Sequence, residues 1–245
     1  MIRFLLAFLL LPVLAEAAEV RVLTAGAFKG VLLGLQPGFE TASGHRLLIQ
    51  NDTAGGVQAK VKAGVPADVV MLTPAGLEAL GGLVRDGSVR NLAKVGIAVA
   101  VRAGSPKPDI TTADGIRAAA VNARAPAWID PAAGGSSGIY MSRLWERWGI
   151  ASLLLPKAVL VNGGLVADKL LDGTADLAFQ QESELTGVPG VEVVGPLPAA
   201  IQSYTTYAGA VPASSAQPDA AAALLSYLAG PQAAPVLAAK GMTAP

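Results

Sequence analysis

Short apolar runs alternate with helical stretches that open on glycine or small polar residues. Glu19 to Leu23 alternates polar and apolar positions, as a strand with one covered face does, and runs into the small-residue loop Thr24-Ala25-Gly26-Ala27. Phe28 to Leu35 has helical spacing and ends near the break at Pro37-Gly38, with Phe39 and Glu40 as candidates to extend it past that break. Arg46 to Gln50 is the next predicted strand, after the turn Ser43-Gly44-His45. Asn51 to Leu72 then shows the unit from which the rest is built. Asp52 and Thr53 are N-cap residues by type, because a side-chain oxygen takes an orphan backbone N–H. A helix follows from about Gly55 to Ala63, Gly64 stops it, and Ala67 to Leu72 reads as a buried strand. Strand, loop, helix and strand in that order build a parallel sheet.

The pattern continues with Pro74 at a helix start and with Val95 to Val101, read as one uninterrupted apolar strand. The proline-rich loop Arg102 to Pro108 after it is the first candidate crossing between domains. Thr112 to Asp114 caps a helix to about Ala120, Ala127 to Asp130 is a strand, and Ile139 to Trp148 is a helix. Tyr140, Leu144, Trp145 and Trp148 sit at helical spacing on it and read as core and lid packing. Ala158 to Val161, Ala175 to Phe179 and Val191 to Val194 are further strands, and Ser203 to Val211 is a strand returning at the second crossing. Two helices, Pro218 to Leu228 and Gln232 to Ala239, finish the chain. Pro66-Ala67-Asp68 before one apolar strand is echoed by Thr174-Ala175-Asp176 before another. Two α/β halves with two crossings predict a two-lobed cleft protein, with 18–99 plus 210–245 in one lobe and 100–209 in the other.

Composition narrows the function. Arg3, the apolar run Phe4 to Leu14 and Ala15-Glu16-Ala17 have the form of a cleavable signal peptide over residues 1–17. Cleavage after Ala17 would place the mature chain in the periplasm. There is no cysteine, so neither disulfides nor thiol chemistry enter. Lys and Arg balance Asp and Glu and form no cluster, which argues against nucleic acid or an anionic membrane surface as partner. One histidine and no ligand-spaced carboxylates predict no metal, and no cofactor is expected. A monomer is expected.

Four loops share one design: Thr24 to Ala27, Asp52 to Gly56, Gly134 to Gly138, and Asn162 to Gly164. Each follows a strand and opens a helix, where bare N–H groups and the helix dipole favour an anion. Gly134-Gly135-Ser136-Ser137-Gly138 also fits the G-x-S-x-G nucleophile elbow around Ser136, which requires a histidine later in the chain. The only histidine, His45, lies upstream and reads as a solvated turn residue. Glu182 and Glu184 after the strand ending near Phe179 read as rim charges.

Several stretches occur together in order: Val22-Leu23-Thr24-Ala25-Gly26-Ala27-Phe28; Lys62-Ala63-Gly64-Val65-Pro66-Ala67-Asp68-Val69-Val70; Asp130-Pro131 with Ser137-Gly138-Ile139-Tyr140; Gly173-Thr174-Ala175-Asp176-Leu177-Ala178; and Tyr227-Leu228-Ala229-Gly230-Pro231-Gln232-Ala233-Ala234. With them the chain resembles the periplasmic substrate-binding proteins of ABC importers, in the group that includes the molybdate-binding proteins. The resemblance implies a type 2 periplasmic binding fold, two parallel-rich sheets joined by a two-strand hinge that closes on ligand. It also implies a non-enzymatic protein that delivers a small anionic or polar solute to an ABC permease in the inner membrane. The implied ligand-lining set is Thr24, Gly26, Ala27, Asp52, Thr53, Ala54, Gly55, Ser136, Ser137, Asn162, Gly163, Gln180 and Gln181. The family's oxyanion-holding serines align with Ala27 and Ala54, and its tyrosine with Gln181. The side-chain set of a molybdate or tungstate binder is thus replaced, but a small oxyanion of that kind, bound in the interlobe cleft, remains the ligand that the resemblance implies. A small organic acid is the alternative ligand, with Arg102, Arg124 or Arg143 as carboxylate partner. A stand-alone sensor or adhesin on the same scaffold, and a serine hydrolase using Ser136, are the alternative roles.

Overall fold

The structure, a computed structural model, describes residues 17–245, so all of the expected signal peptide but Ala17 lies outside the described residues. The first lobe is built from β1 (Glu19–Ala25), α1 (Gly26–Ser43), β2 (Arg46–Asp52), α2 (Ala54–Lys62), β3 (Val69–Leu72), α3 (Pro74–Glu78) and β4 (Arg90–Val95). The second carries β5 (Ile97–Arg102), α4 (Ala113–Asn122), β6 (Pro126–Ile129), α5 (Ser136–Arg147), α6 (Ala151–Leu154), β7 (Val159–Val161), α7 (Ala167–Leu171), β8 (Leu177–Gln181), α8 (Glu182–Leu185) and β9 (Val191–Pro196). The chain then returns through β10 (Thr205–Ala210) to α9 (Pro218–Leu228), α10 (Ala233–Ala238) and β11 (Met242–Thr243).

The sheets run β11-β4-β10-β3-β1-β2 and β7-β6-β8-β5-β9. In each, three parallel strands are followed by an antiparallel one: β2, β1 and β3 beside β10, and β7, β6 and β8 beside β5. That antiparallel strand is the one that has just crossed from the other lobe. This is the mixed α/β, type 2 arrangement that the resemblance implied. The strand expected over Val95–Val101 is two strands, because Gly96 breaks it and the chain changes sheet there. Ile97 to Val99 therefore lie in the second sheet and Thr205 to Gly209 in the first, and the boundaries expected at 99/100 and 209/210 fall inside strands. An uninterrupted apolar run gives no sign of a change of sheet, since Val95 at the end of β4 and Ile97 to Val101 of β5 are all buried.

Helix α1 does not break at Pro37-Gly38 but continues to Ser43, closed by Gly44 in the left-handed region. Its apolar face (Phe28, Val31, Leu32, Leu35 and Phe39) packs with Val20 and Val22 of β1 and with Leu224 and Leu228 of α9. The burial of Phe39 beyond the proline offsets the lost backbone bond. Its other face has glycine at every fourth position: Gly26, Gly30, Gly34 and Gly38. A Cβ at Gly26 would lie 2.7 Å from Glu184 Oε1, one at Gly30 3.3 Å from Lys240 Cε, and one at Gly34 2.8 Å from a Val236 methyl. Residues four apart share a helix face, so this bare stripe lets α8 and the C-terminal segment approach closely.

The second lobe centres on the aromatics expected in the core. Trp145 meets Phe179 edge-on at 5.3 Å and Trp128 at 6.1 Å between ring centroids. Burying Phe179 alone is worth about 2 kcal/mol. Tyr140 ties α5 to the returning chain by donating its hydroxyl to the Ile201 carbonyl at 2.6 Å. His45 is half-buried rather than solvated: its Nδ1 accepts from the Ala18 N–H at 3.1 Å.

Gly138 sits in the first turn of α5 hard against β6, where a Cβ would overlap the Ile129 carbonyl oxygen. Gly138→Ala is expected to cost about 1–3 kcal/mol, the usual range for overpacking. Gly163→Ala, whose Cβ would meet nothing, is expected to leave the midpoint unchanged. Thermal denaturation of the two variants checks this, and an unshifted Gly138→Ala would show that the helix does not press on the strand.

Candidate functional site

The C-terminal ends of β1 and β2 and the N-terminal half of the antiparallel β10 in the first lobe, and the C-terminal ends of β6 and β8 in the second, face a shared cavity of about 370 Å³. Helices α1 and α5 start there with Ala25 and Gly135 as N-caps and no side-chain cap, which leaves their first N–H groups open to a ligand. Helix α2 starts there too, with Thr53 Oγ1 accepting from Gly56 N–H at 3.0 Å. Asp52 lines the same wall, but its carboxylate is paired with Lys60 at 2.8 Å and holds its pKa below the ordinary value, chiefly through that contact.

A polar network crosses the floor between the lobes. The Gln181 amide donates to Ser136 Oγ at 3.0 Å and to Thr205 Oγ1 at 2.9 Å, and the Tyr207 hydroxyl lies 3.4 Å from Ser136 Oγ. Gln181 is buried, and among the described residues its Oε1 has no partner. A buried acceptor left open costs about 1–3 kcal/mol unless a ligand or water fills it. Nearby, Ser183 Oγ donates across the lobes to the Ala27 carbonyl at 2.8 Å. That bond seats the short helix α8 against the start of α1.

Glu184, on the same turn of α8, faces the cavity beside Gly26. Burial pushes its pKa up to about 8, against a smaller opposing effect of the Gln180 amide. Burial also raises the Tyr207 hydroxyl far above its ordinary value, with the neighbouring Glu184 adding to the effect. Tyr207 thus stays protonated and is a hydrogen-bond donor, while Glu184 sits where a carboxyl group both takes and gives a proton near neutral pH. The reading of Glu182 and Glu184 as rim charges is corrected. Glu182 is half-buried, with its pKa raised by burial, and Glu184 lies inside the cleft. Sequence spacing did not reveal this, because α8 is a single turn whose direction is set by packing on α1.

Of the residues expected to line the cleft, Gly26, Ala27, Asp52, Thr53, Ala54, Ser136, Ser137 and Gln181 come together there. Five do not. Thr24 is buried and bonds the Ala25 carbonyl, and Gly55 instead packs on the Gly134 backbone across the lobes. Asn162 and Gly163 are exposed, because the loop passes outside the cavity and leaves Gly164 at its edge. Gln180 is fully buried and structural, accepting from Val166 N–H at 2.8 Å and donating to the Gly164 carbonyl at 3.2 Å. None of the three candidate arginines reaches the cavity: Arg124 bonds the Gly173 carbonyl, and Arg102 and Arg143 are exposed elsewhere. The cations that do line it are Lys29 and Lys240. Lys29 lies next to the glycine stripe, a sequence signal for close helix packing that was there to be read. The Ser136 elbow is also set aside, since His45 lies at the far end of β2's lobe against Ala18 and no imidazole approaches Ser136. Among the described residues no three His, Asp or Glu side chains are grouped to hold a metal, and no helix is long and apolar enough to cross a membrane.

Comparison with known proteins adds three findings. Residues 20–243 match the family described as "Bacterial extracellular solute-binding protein". An aconitate isomerase of a Pseudomonas species is 35% identical over 242 residues, covering 94% of this chain and 90% of that one. Among solved structures, the periplasmic molybdate-binding protein of Azotobacter vinelandii superposes with a TM-score of 0.78 at 24% identity, covering 93% of this chain and all of that one. PEB3 with bound L-phospholactate, a protein of Campylobacter jejuni, gives 0.69 at 12% identity, covering 91% of this chain and 99% of that one. The last two show the fold alone. The expectation that the chain is not an enzyme is overturned by the relative from Pseudomonas, which carries an enzyme's name over nearly the whole of both chains.

Glu184 generates a stability prediction. The folded chain keeps its proton up to about pH 8, whereas an unfolded glutamate releases it near 4.5. The stability it contributes is therefore complete below pH 4.5 and is lost as pH rises towards 8, by up to about 1.4 kcal/mol per pH unit. Glu184→Gln removes the titration, so its unfolding midpoint is expected to exceed that of the parent at pH 8.5 and to match it at pH 4.5. Parallel midpoints across that range would show that the carboxyl is solvated.

Proposed function

The chain belongs to the bacterial extracellular solute-binding protein family, and from that premise we propose that its interlobe cleft is the active site of a periplasmic isomerase. The substrate is a small unsaturated tricarboxylic acid such as aconitate, and the step is a shift of its double bond by proton transfer. The observation that carries the reading is Glu184, a carboxyl group with a pKa of about 8 in a cavity that three helix N-termini and two lysines surround. The 35% identity to an aconitate isomerase supports it independently.

Aconitate has a methylene group next to its double bond, flanked by carboxylates. Ionised Glu184 removes a proton from that methylene, and the C–H electron pair spreads over the allylic carbons and the adjoining carboxylate. Protonation of the former vinylic carbon by the Glu184 carboxyl moves the double bond one place and restores the base. No other reactant is consumed. The new double bond forms at what was a single bond, so the conformation held there when the proton leaves sets its geometry and lets cis and trans isomers exchange. The negative charge that develops is met by the open N–H groups of α1 and α5 and by the Tyr207 hydroxyl, donors fixed before the substrate arrives. The unpartnered Gln181 Oε1 gives a protonated or hydroxyl-bearing ligand group an acceptor.

A molybdate-like oxyanion is supported less well. Ala27 and Ala54 line the cavity without the hydroxyls that the resemblance requires, and such an anion leaves Glu184 without a role. Delivery of a bound acid to an ABC permease is separated from isomerisation by product analysis, since a carrier releases its ligand unchanged.

The purified mature protein is expected to convert one aconitate isomer into the other and to incorporate deuterium from deuterium oxide, as followed by NMR. The reading does not survive if neither exchange nor isomerisation occurs. Glu184→Gln is expected to lower kcat by about 10²–10⁴-fold, the usual contribution of a general base. The logarithm of kcat/KM is expected to rise with pH and level off near 8, since only the ionised carboxylate accepts the proton.

A further inference from the structure

We infer that Lys240, with Lys29 beside it, is the site at which the cleft recognises a third, distal carboxylate and so selects tricarboxylates over dicarboxylates. The inference rests on the proposed polycarboxylate ligand and adds which residues choose it.

The geometry follows from α1. Gly26 and Gly30 lie one turn apart on its bare face, about 6 Å along the axis. Gly26 faces the Glu184 carboxyl and Gly30 faces the Lys240 side chain, whose Cε would be 3.3 Å from a Cβ there. The ammonium of Lys240 also reaches the second lobe, 3.5 Å from the Cβ position of Gly187, in the loop that follows α8. It therefore bridges both lobes about one helical turn from the reacting position. That separation matches a carboxylate carried on the neighbouring carbon of a short acid chain. Lys29 lines the same cavity from α1.

The surrounding charges leave these two lysines available. Among the described residues, ion pairs involve Arg21, Lys60, Lys107 and Lys169, and neither Lys29 nor Lys240 takes part. Of the acidic groups on the cavity wall, Asp52 is already neutralised by Lys60, Asp168 is exposed on the opposite lobe, and Glu184 is held protonated by burial. Glu182 packs on Gly241 beside Lys240 but forms no ion pair with it. Lys240 is half-buried, so a carboxylate bound to it is only partly screened by water. The buried Gln181 Oε1 without a partner marks the other end of the same cavity as open to a ligand group. A dicarboxylate fills the positions at the helix N-termini and leaves the lysine end empty.

The test is binding of two saturated acids that cannot be isomerised, tricarballylate and 2-methylsuccinate, which lacks one terminal carboxylate, measured by calorimetry on the full mature chain. The parent is expected to prefer tricarballylate. Lys240→Ala is expected to weaken tricarballylate by about ten- to a hundredfold, the range for a charge-assisted hydrogen bond, while leaving 2-methylsuccinate nearly unchanged. Lys240→Arg is expected to restore most of the preference, and Lys29→Ala to have a smaller effect of the same sign. Activity adds a second reading: with aconitate as substrate, Lys240→Ala should raise KM far more than it lowers kcat. The inference is overturned if Lys240→Ala binds both acids as the parent does, or weakens both equally. Unchanged circular dichroism guards against misfolding as the cause. Loss of the inference leaves isomerisation by Glu184 intact, whereas a protein that selects tricarballylate through Lys240 but never isomerises aconitate refutes the proposed reaction alone.

Discussion

The contact on which this molecule depends is the seating of α8 on the bare face of α1. A glycine stripe brings the one-turn helix so close that a single methyl group at position 26 would touch the Glu184 carboxyl. Ser183 locks the arrangement by bonding the Ala27 carbonyl across the cleft. From this follow the closeness of the lobes, the burial of a carboxyl group between them, and the high pKa that burial imposes. A glutamate on an exposed turn would be ionised at neutral pH, and a poor acceptor for a carbon-bound proton.

The two lobes are tied internally by a repeated device. Asp68, buried ahead of β3, accepts from Arg21 N–H, from the Ser215 hydroxyl and from the N–H groups of Ala216 and Gln217. Asp176, ahead of β8, accepts from Arg124 and Ala125 N–H groups. The echo between Pro66-Ala67-Asp68 and Thr174-Ala175-Asp176 is thus a pair of loop anchors at the start of equivalent strands. It keeps the N-terminal edge of each sheet closed, and leaves ligand chemistry to the C-terminal edge, where strands hand over to helices.

Reading by pattern worked where the signal was local. The β-loop-α-β units, the Thr53 cap, the left-handed glycine at Gly64, and the aromatic core around Trp145 are all set by residues within a few positions of one another. It failed where two local rules gave one answer and the assembly another. Val95 to Val101 looked continuous because the end of β4 and most of β5 are buried alike. Pro37 looked like a helix end because the burial of Phe39 depends on α9, far away in sequence. Asn162 and Gly163 looked like a fourth ligand loop, yet the route of the chain after β7 leaves them in solvent.

The sequence by itself determined the class of the fold, the polar loops at strand ends, and eight of the residues that line the cleft, since hydrophobic period, caps and turns are short-range effects. Only the tertiary structure decided which charged groups enter the site. Glu184, Tyr207, Lys29 and Lys240 come from four separate segments, and apart from the glycine stripe around Lys29 nothing in their neighbours along the chain sets them apart. What brings them together is the low-dielectric space formed when distant elements pack, and that space exists only once the chain has folded.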